Sequence, residues 1–220
     1  MTYLKSKSAT DDGQIPRSRF NPLTALRKTS RDFKKDRSGV AAIEFALIAP
    51  IMIAIYFGLA EVASAISVDR RVSHTANVVG DLATQNAEVL NGDVEEIFAA
   101  ALRVLSISDT SEVTMELASY QKDDQDMPEL IGMATLNAGQ ALPAFDPATV
   151  DDRILNSTSG VVVARIAYSY EPLMLRFTSA NINLTEIFLL KPRRSSSVPI
   201  GDDPTVPVTC TSSSLTNISC

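Results

Sequence analysis

The sequence predicts an α+β protein: a long N-terminal transmembrane helix extending into a small exported domain with a second helix and a short antiparallel sheet. Three observations lead there. The stretch Val40–Val68 is apolar and long enough to cross a bilayer, which takes about 20 helical residues. Helical periodicity continues beyond it, whereas alternating strand patterns begin only later, the order expected of α+β rather than α/β chains. Charge is also divided unevenly: residues 1–39 hold ten Lys/Arg against four Asp/Glu, and residues 40–220 hold ten against twenty-two. The net charge of −6 thus conceals a basic head on an acidic body. The expected organisation is a basic cytoplasmic leader (1–39), a transmembrane helix (40–68), an exported α+β domain (69–191) and a Ser/Pro-rich tail (192–220) closed by a disulfide.

The span reads VAAIEFALIAPIMIAIYFGLAEVASAISV, with Glu44 and Glu61 its only charges. A buried helix of a soluble domain is the competing reading, but such a helix seldom stays apolar all round for four turns. Arg27, Lys28, Arg31, Lys34, Lys35 and Arg37 precede the span, and the far side opens with the weaker Asp69-Arg70-Arg71. That asymmetry keeps the N-terminus cytoplasmic and exports the residues from about 69 onward. An exported C-terminus puts Cys210 and Cys220 in an oxidising compartment, where they are expected to pair; two free thiols are the alternative. Pro50 removes one backbone hydrogen bond within the span and is expected to kink or loosen it. Ala42, Ala46, Ala49 and Gly58 supply small side chains that permit close helix approach.

In the exported body, Val72, Ala76, Val79 and Ala83 form one helical stripe with Leu82 beside it, so the helix is expected to run on from the membrane. Asn91-Gly92 predicts a turn, and Asp93 with Glu96 a capping-box variant. Val94, Ile97, Phe98, Ala101, Leu102 and Leu105 then share one helical face, expected to pack on a sheet. Val113, Met115 and Leu117 alternate with Thr114, Glu116 and Ala118, a half-buried strand pattern. Lys122–Pro128 reads as a polar turn, Ile131–Leu136 as a second strand and residues 137–160 as a long loop. Val161–Tyr170 is a strand with Val162, Ala164, Ile166, Tyr168 and Tyr170 on one face; Pro172 ends it, and Glu186–Lys191 is a last strand. From Pro192 onward the composition predicts a tail ordered only by its disulfide.

Several chemistries are excluded or disfavoured. An acidic body is not a nucleic-acid partner. Two cysteines and a single His74, which falls off the apolar stripe, leave no zinc ligand set, and no Gly-rich phosphate loop occurs. Asp123, Asp124, Asp126 and Glu129 could offer calcium its oxygen ligands, but Pro128 breaks the EF-hand pattern and a solvated turn is the simpler reading. The N-x-Ser/Thr triplets at Asn156, Asn183 and Asn217 read as chance matches. No metal, cofactor or catalytic residue is expected, and no enzymatic activity.

The junction of leader and span reads Arg37-Ser38-Gly39-Val40-Ala41-Ala42-Ile43-Glu44-Phe45. Gly, then an apolar residue, then Glu five positions after the Gly, at the head of an apolar helix, resembles a type IV prepilin processing site. The longer run, Gly39-Val-Ala-Ala-Ile-Glu44-Phe-Ala-Leu-Ile-Ala-Pro50 with Gly58 and Glu61, resembles the N-terminal signature of the TadE-like family of pilus assembly proteins. These are pilin-like proteins of bacterial tight-adherence (Flp pilus) systems. The resemblance covers residues 37–62, and no motif of the exported domain adds to it.

It implies cleavage between Gly39 and Val40 by a prepilin peptidase, a bacterial inner-membrane location and association with other pilin-like subunits and the pilus assembly machinery. It also gives Glu44 a role. A new α-amino group on Val40, protonated at neutral pH, would lie one helical turn from Glu44 and could pair with it, or with Glu44 of a neighbouring helix to set axial register. An interfacial Glu44 that reaches water is the alternative. Three further readings compete: an uncleaved single-pass anchored periplasmic binding or scaffold protein; an anchored hydrolase, for which no nucleophile–base pair is evident; and signal-peptidase cleavage near Ala63-Ser64-Ala65.

Overall fold

The computed structural model describes residues 38–107, 109–172, 181–215 and 217–220, so the basic leader up to residue 37 lies outside the described residues. Its contacts divide the chain into two units, one ending at Ile53 and the other running from Ala54 to Cys220. Helix α1, Ser38–Thr84, belongs to both and is helical through Pro50. Its apolar side chains are exposed as far as Ile66, and from Val68 the stripe Val72, Ala76, Val79 and Ala83 is buried. The 3.6-residue repeat of the sequence is therefore the buried face. Gly80 sits where α1 meets the sheet: a Cβ there would fall 2.3 Å from Leu190 Cδ1 and 3.5 Å from Ala164 Cβ.

Helix α2, Asn91–Leu105, buries the six apolar residues expected of it. Its start differs from the expectation. Asn91 and Gly92 are in its first turn, and Leu90 is the N-cap, its N–H donating to Asp93 Oδ2 at 3.0 Å. The reason is tertiary: the Asn91 N–H donates to Asp202 Oδ1, and the Asp202 N–H to Asn91 Oδ1, both at 3.3 Å. The chain reverses before Asn91 instead. At the other end Ser106 adopts a left-handed φ of 52° and donates its N–H to the Leu102 carbonyl, a local helix stop.

Six strands follow: β1 Val113–Lys122, β2 Pro128–Leu136, β3 Val161–Tyr170, β4 Ile182–Leu190, β5 Val208–Ser214 and β6 Asn217–Ser219. Their order is β4-β3-β1-β2-β5-β6, antiparallel except for the β2–β5 pair. β2 and β4 begin earlier than expected, at Pro128 rather than Ile131 and at Ile182 rather than Glu186, and β4 ends one residue short of Lys191. Pairing with β1 and β3 extends them through residues whose own pattern is weak.

The main core lies between the two helices and one face of this sheet: Val72, Val79, Phe98 and Leu102 join Met115, Leu117, Leu136 and Ile166. The predicted face of β3 is confirmed, with Tyr168 partly buried. β1, expected to be half-buried, is instead covered on both faces. Residues of the 137–160 loop pack on the second face, where Leu155, Val161 and Val163 meet Tyr120, Phe145 and Ile187. On that face Glu116 is buried as an ion pair, accepting from Arg165 Nε at 2.9 Å, while Arg165 Nη1 donates to the Pro143 carbonyl at 3.0 Å.

The tail is the largest correction. It is ordered by strand pairing as well as by its disulfide: β5 lies against β2, β6 against β5, and Val198 and Ile200 are fully buried. Ile200 bridges both Val89 and Gly132, so the tail is clamped between the approach to α2 and strand β2. Gly132, beside a bulge in the β1–β2 ladder, has φ 150°, and a Cβ there would lie 2.5 Å from the Ile200 backbone N and O.

Two consequences are measurable on the full-length protein in detergent. Gly132→Ala meets backbone and a disfavoured φ together, so it should lower unfolding stability by about 2–4 kcal/mol in urea titrations followed by far-UV circular dichroism. Gly80→Ala meets only the end of a flexible leucine and should lose less, about 1 kcal/mol. Cys220→Ser should destabilise by ~2–3 kcal/mol in the same titration, the chain-entropy value for so short a loop, and reduction of the wild type should match it.

Candidate functional site

Gly39 and Val40, the predicted processing pair, lie at the start of α1, which begins at Ser38. Nothing stands within 4 Å of a Cβ built on Gly39, and Val40 is half-exposed. Glu44 is exposed one turn further on, and among the described residues it has no hydrogen-bond or ion-pair partner. The peptide between Gly39 and Val40 is thus uncovered by the described residues, and Val40 and Glu44 have the i,i+4 relation that puts two side chains on one face.

The helix beyond them is uncovered as well. Its most apolar 18-residue window has a mean hydropathy of 2.3 and no residue buried; it is the one helix among the described residues long and apolar enough to cross a membrane. Ile43, Phe45, Leu47, Ile51, Tyr56 and Leu59 are all more than half exposed. A side chain of this size gains about 1.5–3 kcal/mol on leaving water, so a row of them left in water would be strongly unfavourable. Lipid, or the apolar side of another helix, is the environment this surface fits. Ala42, Ala46 and Gly58 are exposed along it, while Ala49 is half-buried.

Glu61, the second charge of the span, has a different setting. Tyr170, at the end of β3, donates its hydroxyl to Glu61 Oε1 at 3.1 Å. Burial first, and then this hydrogen bond and the Glu61 charge, push the Tyr170 phenol above its ordinary pKa and keep it protonated as a donor. Further along α1, Ser73 donates to Glu186 Oε1 on β4 at 2.6 Å. Arg71 Nη1 donates to the Leu105 and Ser106 carbonyls, each at 3.3 Å, at the C-terminal end of α2 where a cation is favoured. The sequence pattern pointed to none of these contacts; the partners stand more than thirty residues apart, and no local signal joins them.

The remaining candidates are structural. The Cys210 and Cys220 sulfurs are at bonding distance, 1.93 Å, with Cys210 fully buried and the Cys220 N–H donating to Glu95 Oε1 at 3.1 Å. In the acidic turn, Asp123 Oδ1 accepts the Gln125 and Met127 N–H groups, both at 2.8 Å, and Lys122 bridges Asp126 and Asp152. These carboxylates close the turn instead of converging on a point, and among the described residues no group of three His, Cys, Asp or Glu could hold a metal ion. His74 is exposed.

No curated protein and no solved structure matches the chain. One family model does, over residues 39–80, and it is described as TadE-like protein. The match begins at the predicted processing glycine, takes in Glu44, Pro50, Gly58 and Glu61, and ends at the glycine on which α1 meets the sheet. The segment that joins the uncovered apolar helix to the folded core is therefore TadE-like, in agreement with the resemblance of its sequence.

Proposed function

We propose that this protein is a pilin-like membrane subunit, a minor pilin or pseudopilin, that assists assembly of an adhesive Flp-type pilus in a tight-adherence secretion system. It acts by association and has no catalytic activity of its own. The observation that carries the reading is the coincidence, among the described residues, of three features in the family-matched segment: a Gly39–Val40 peptide that none of them covers, a Glu44 one turn later that none of them pairs with, and an apolar helix that none of them buries.

The mechanism follows from charge. The subunit inserts with its basic leader in the cytoplasm and residues from about 69 in the periplasm, held by the charge asymmetry around the span. A prepilin peptidase cuts after Gly39 and leaves Val40 with a protonated α-amino group. An unpaired carboxylate within a bilayer is costly, about 2.5–3.5 kcal/mol at a helix centre and less near the interface. The amine of an adjacent pilin-like helix offsets that cost only when the two helices meet at one axial offset. Glu44 therefore sets register, while the small residues allow close approach.

Intact-mass measurement of the protein extracted from membranes should give a mature N-terminus at Val40. Met1 would favour a permanently anchored scaffold, and Ile66 ordinary secretion. Glu44→Ala should leave insertion and cleavage intact yet reduce co-purification with pilus components about tenfold, the equivalent of ~1.4 kcal/mol. Unchanged co-purification would remove the register role.

A further inference from the structure

The two flanks of the sheet carry unlike charges at one level. A single row of the sheet fixes that level: Leu190 of β4 pairs with Val162, Val162 with Ser119, Ser119 with Gly132, and Gly132 bridges Ile200. At about 4.8 Å per step the row spans ~19 Å from flank to flank. Leu190 also meets α1 at Gly80, ~21 Å along the helix axis beyond Ile66, the last exposed large apolar side chain of the span. Lipid head groups add only roughly 5–7 Å to the hydrocarbon core, so they do not reach this row.

The β4 flank is basic. Lys191, Arg193 and Arg194 follow Leu190 and are three of the ten basic groups in residues 40–220. Arg193 pairs with Asp81 of α1, whereas the side chains of Lys191 and Arg194 are exposed and have no partner among the described residues. The β5–β6 flank is acidic. Asp202 and Asp203 follow Ile200 and line an open cavity of about 320 Å³ whose walls include Val206, Pro207 and Val208. Asp202 Oδ1 accepts the Asn91 N–H at 3.3 Å. Asp203 Oδ1 accepts the Thr205 hydroxyl and N–H at 2.7 and 3.0 Å, which holds Asp203 below its ordinary pKa and hence anionic. Neither aspartate has an ion-pair partner among the described residues. Each flank adds an exposed apolar side chain, Leu189 on one and Val206 on the other.

The membrane limits how two such bodies meet. The charge asymmetry that orients one span orients every copy, so neighbouring α1 helices run parallel. A two-fold axis between parallel copies sets a flank against its own twin, cations on cations or carboxylates on carboxylates, and both contacts are repulsive. Head-to-tail contact alone sets unlike charges together, and the shared row puts them at one height. We propose that the two flanks form one interface, in which Lys191 and Arg194 of a second copy of this chain enter the Asp202–Asp203 cavity of the first. The aliphatic stems of the two cations suit its apolar walls, and their heads suit its carboxylates. Each contact leaves one flank of either type free, so the row continues into a ring or a helical array. This goes beyond the pilin-like reading and rests only on α1 crossing the bilayer.

The test uses the full-length protein alone in liposomes at low salt, with its native disulfide intact. Chains carrying Leu189→Cys and chains carrying Val206→Cys should be joined by a short bismaleimide when mixed, while either kind alone stays at background. Raising the salt to half-molar should lower the mixed yield about threefold or more, since these charges are exposed. Adding Lys191→Glu and Arg194→Glu to the Leu189→Cys chain should lower it about tenfold. Adding Asp202→Asn and Asp203→Lys to its Val206→Cys partner should then restore it; Asn at 202 keeps an acceptor for the Asn91 N–H. Circular dichroism checks that each variant is folded, and the salt series needs no charge variant at all. Either single-cysteine chain linking to itself at the mixed yield, a yield unmoved by salt, or folded reversed partners that link no better than the singly reversed pair would each overturn the proposal. Failure to enter liposomes would overturn it together with the membrane reading. No pilus component is present, so entry without head-to-tail linkage would leave the pilin-like reading standing.

Discussion

The rest of the structure depends on one constraint: a single helix has to satisfy two environments. Before Ile66 the large apolar side chains of α1 are exposed; from Val68 onward its stripe is core. The change is made by sequence periodicity alone. The first part is apolar on every side, as a helix in lipid has to be, and the second narrows to one stripe with polar residues opposite. The sheet docks by three devices along α1, one just before the change and two after it: the Glu61–Tyr170 hydrogen bond, the Ser73–Glu186 hydrogen bond and the bare backbone of Gly80 against Leu190. Two are polar and one steric, so they fix orientation more than they add stability, which comes from the buried apolar stripe.

Elements with a strong period of their own were legible in the sequence. The α1 stripe and the α2 face were readable because an amphipathic helix states its period over several turns. β3 was readable because ten residues rich in Val and Tyr alternate before a proline. The family resemblance was legible for another reason: the residues that carry it are adjacent in sequence, and the family match covers them.

What was illegible depends on contacts between distant residues. β5 reads Val-Thr-Cys-Thr-Ser-Ser-Ser and has the composition of a linker. It is a strand because β2 offers it a parallel edge and because Asn137, held at φ 48°, accepts the Ser212 N–H on Oδ1 at 2.8 Å and donates to the Thr110 carbonyl at 2.9 Å. The second cover of β1 was hidden likewise, since Phe145 and the Ile154-Leu155 pair are scattered apolar residues in a loop whose composition reads as solvated. Even the start of α2 turned on a residue more than a hundred positions away, Asp202, which reconciles an Asn-Gly pair with a helical first turn. Local chemistry favoured a turn there, and tertiary hydrogen bonding won.

The two carboxylates of the apolar segment show how a fold can divide internal from external work. Glu61 is half-buried and receives a tyrosine hydroxyl from its own chain, so its position is tied to the body that carries Tyr170. Glu44 has no such partner among the described residues, and the apolar surface around it has no cover. If both were anchors against the cost of a charge near lipid, both would be expected to be satisfied internally, because an unpaired buried charge is the more expensive state. A carboxylate left unsatisfied beside a surface that itself lacks cover is better suited to a partner that brings both. Another helix with a free amine at its head supplies the apolar surface and the cation together, whereas a lipid tail supplies only the first.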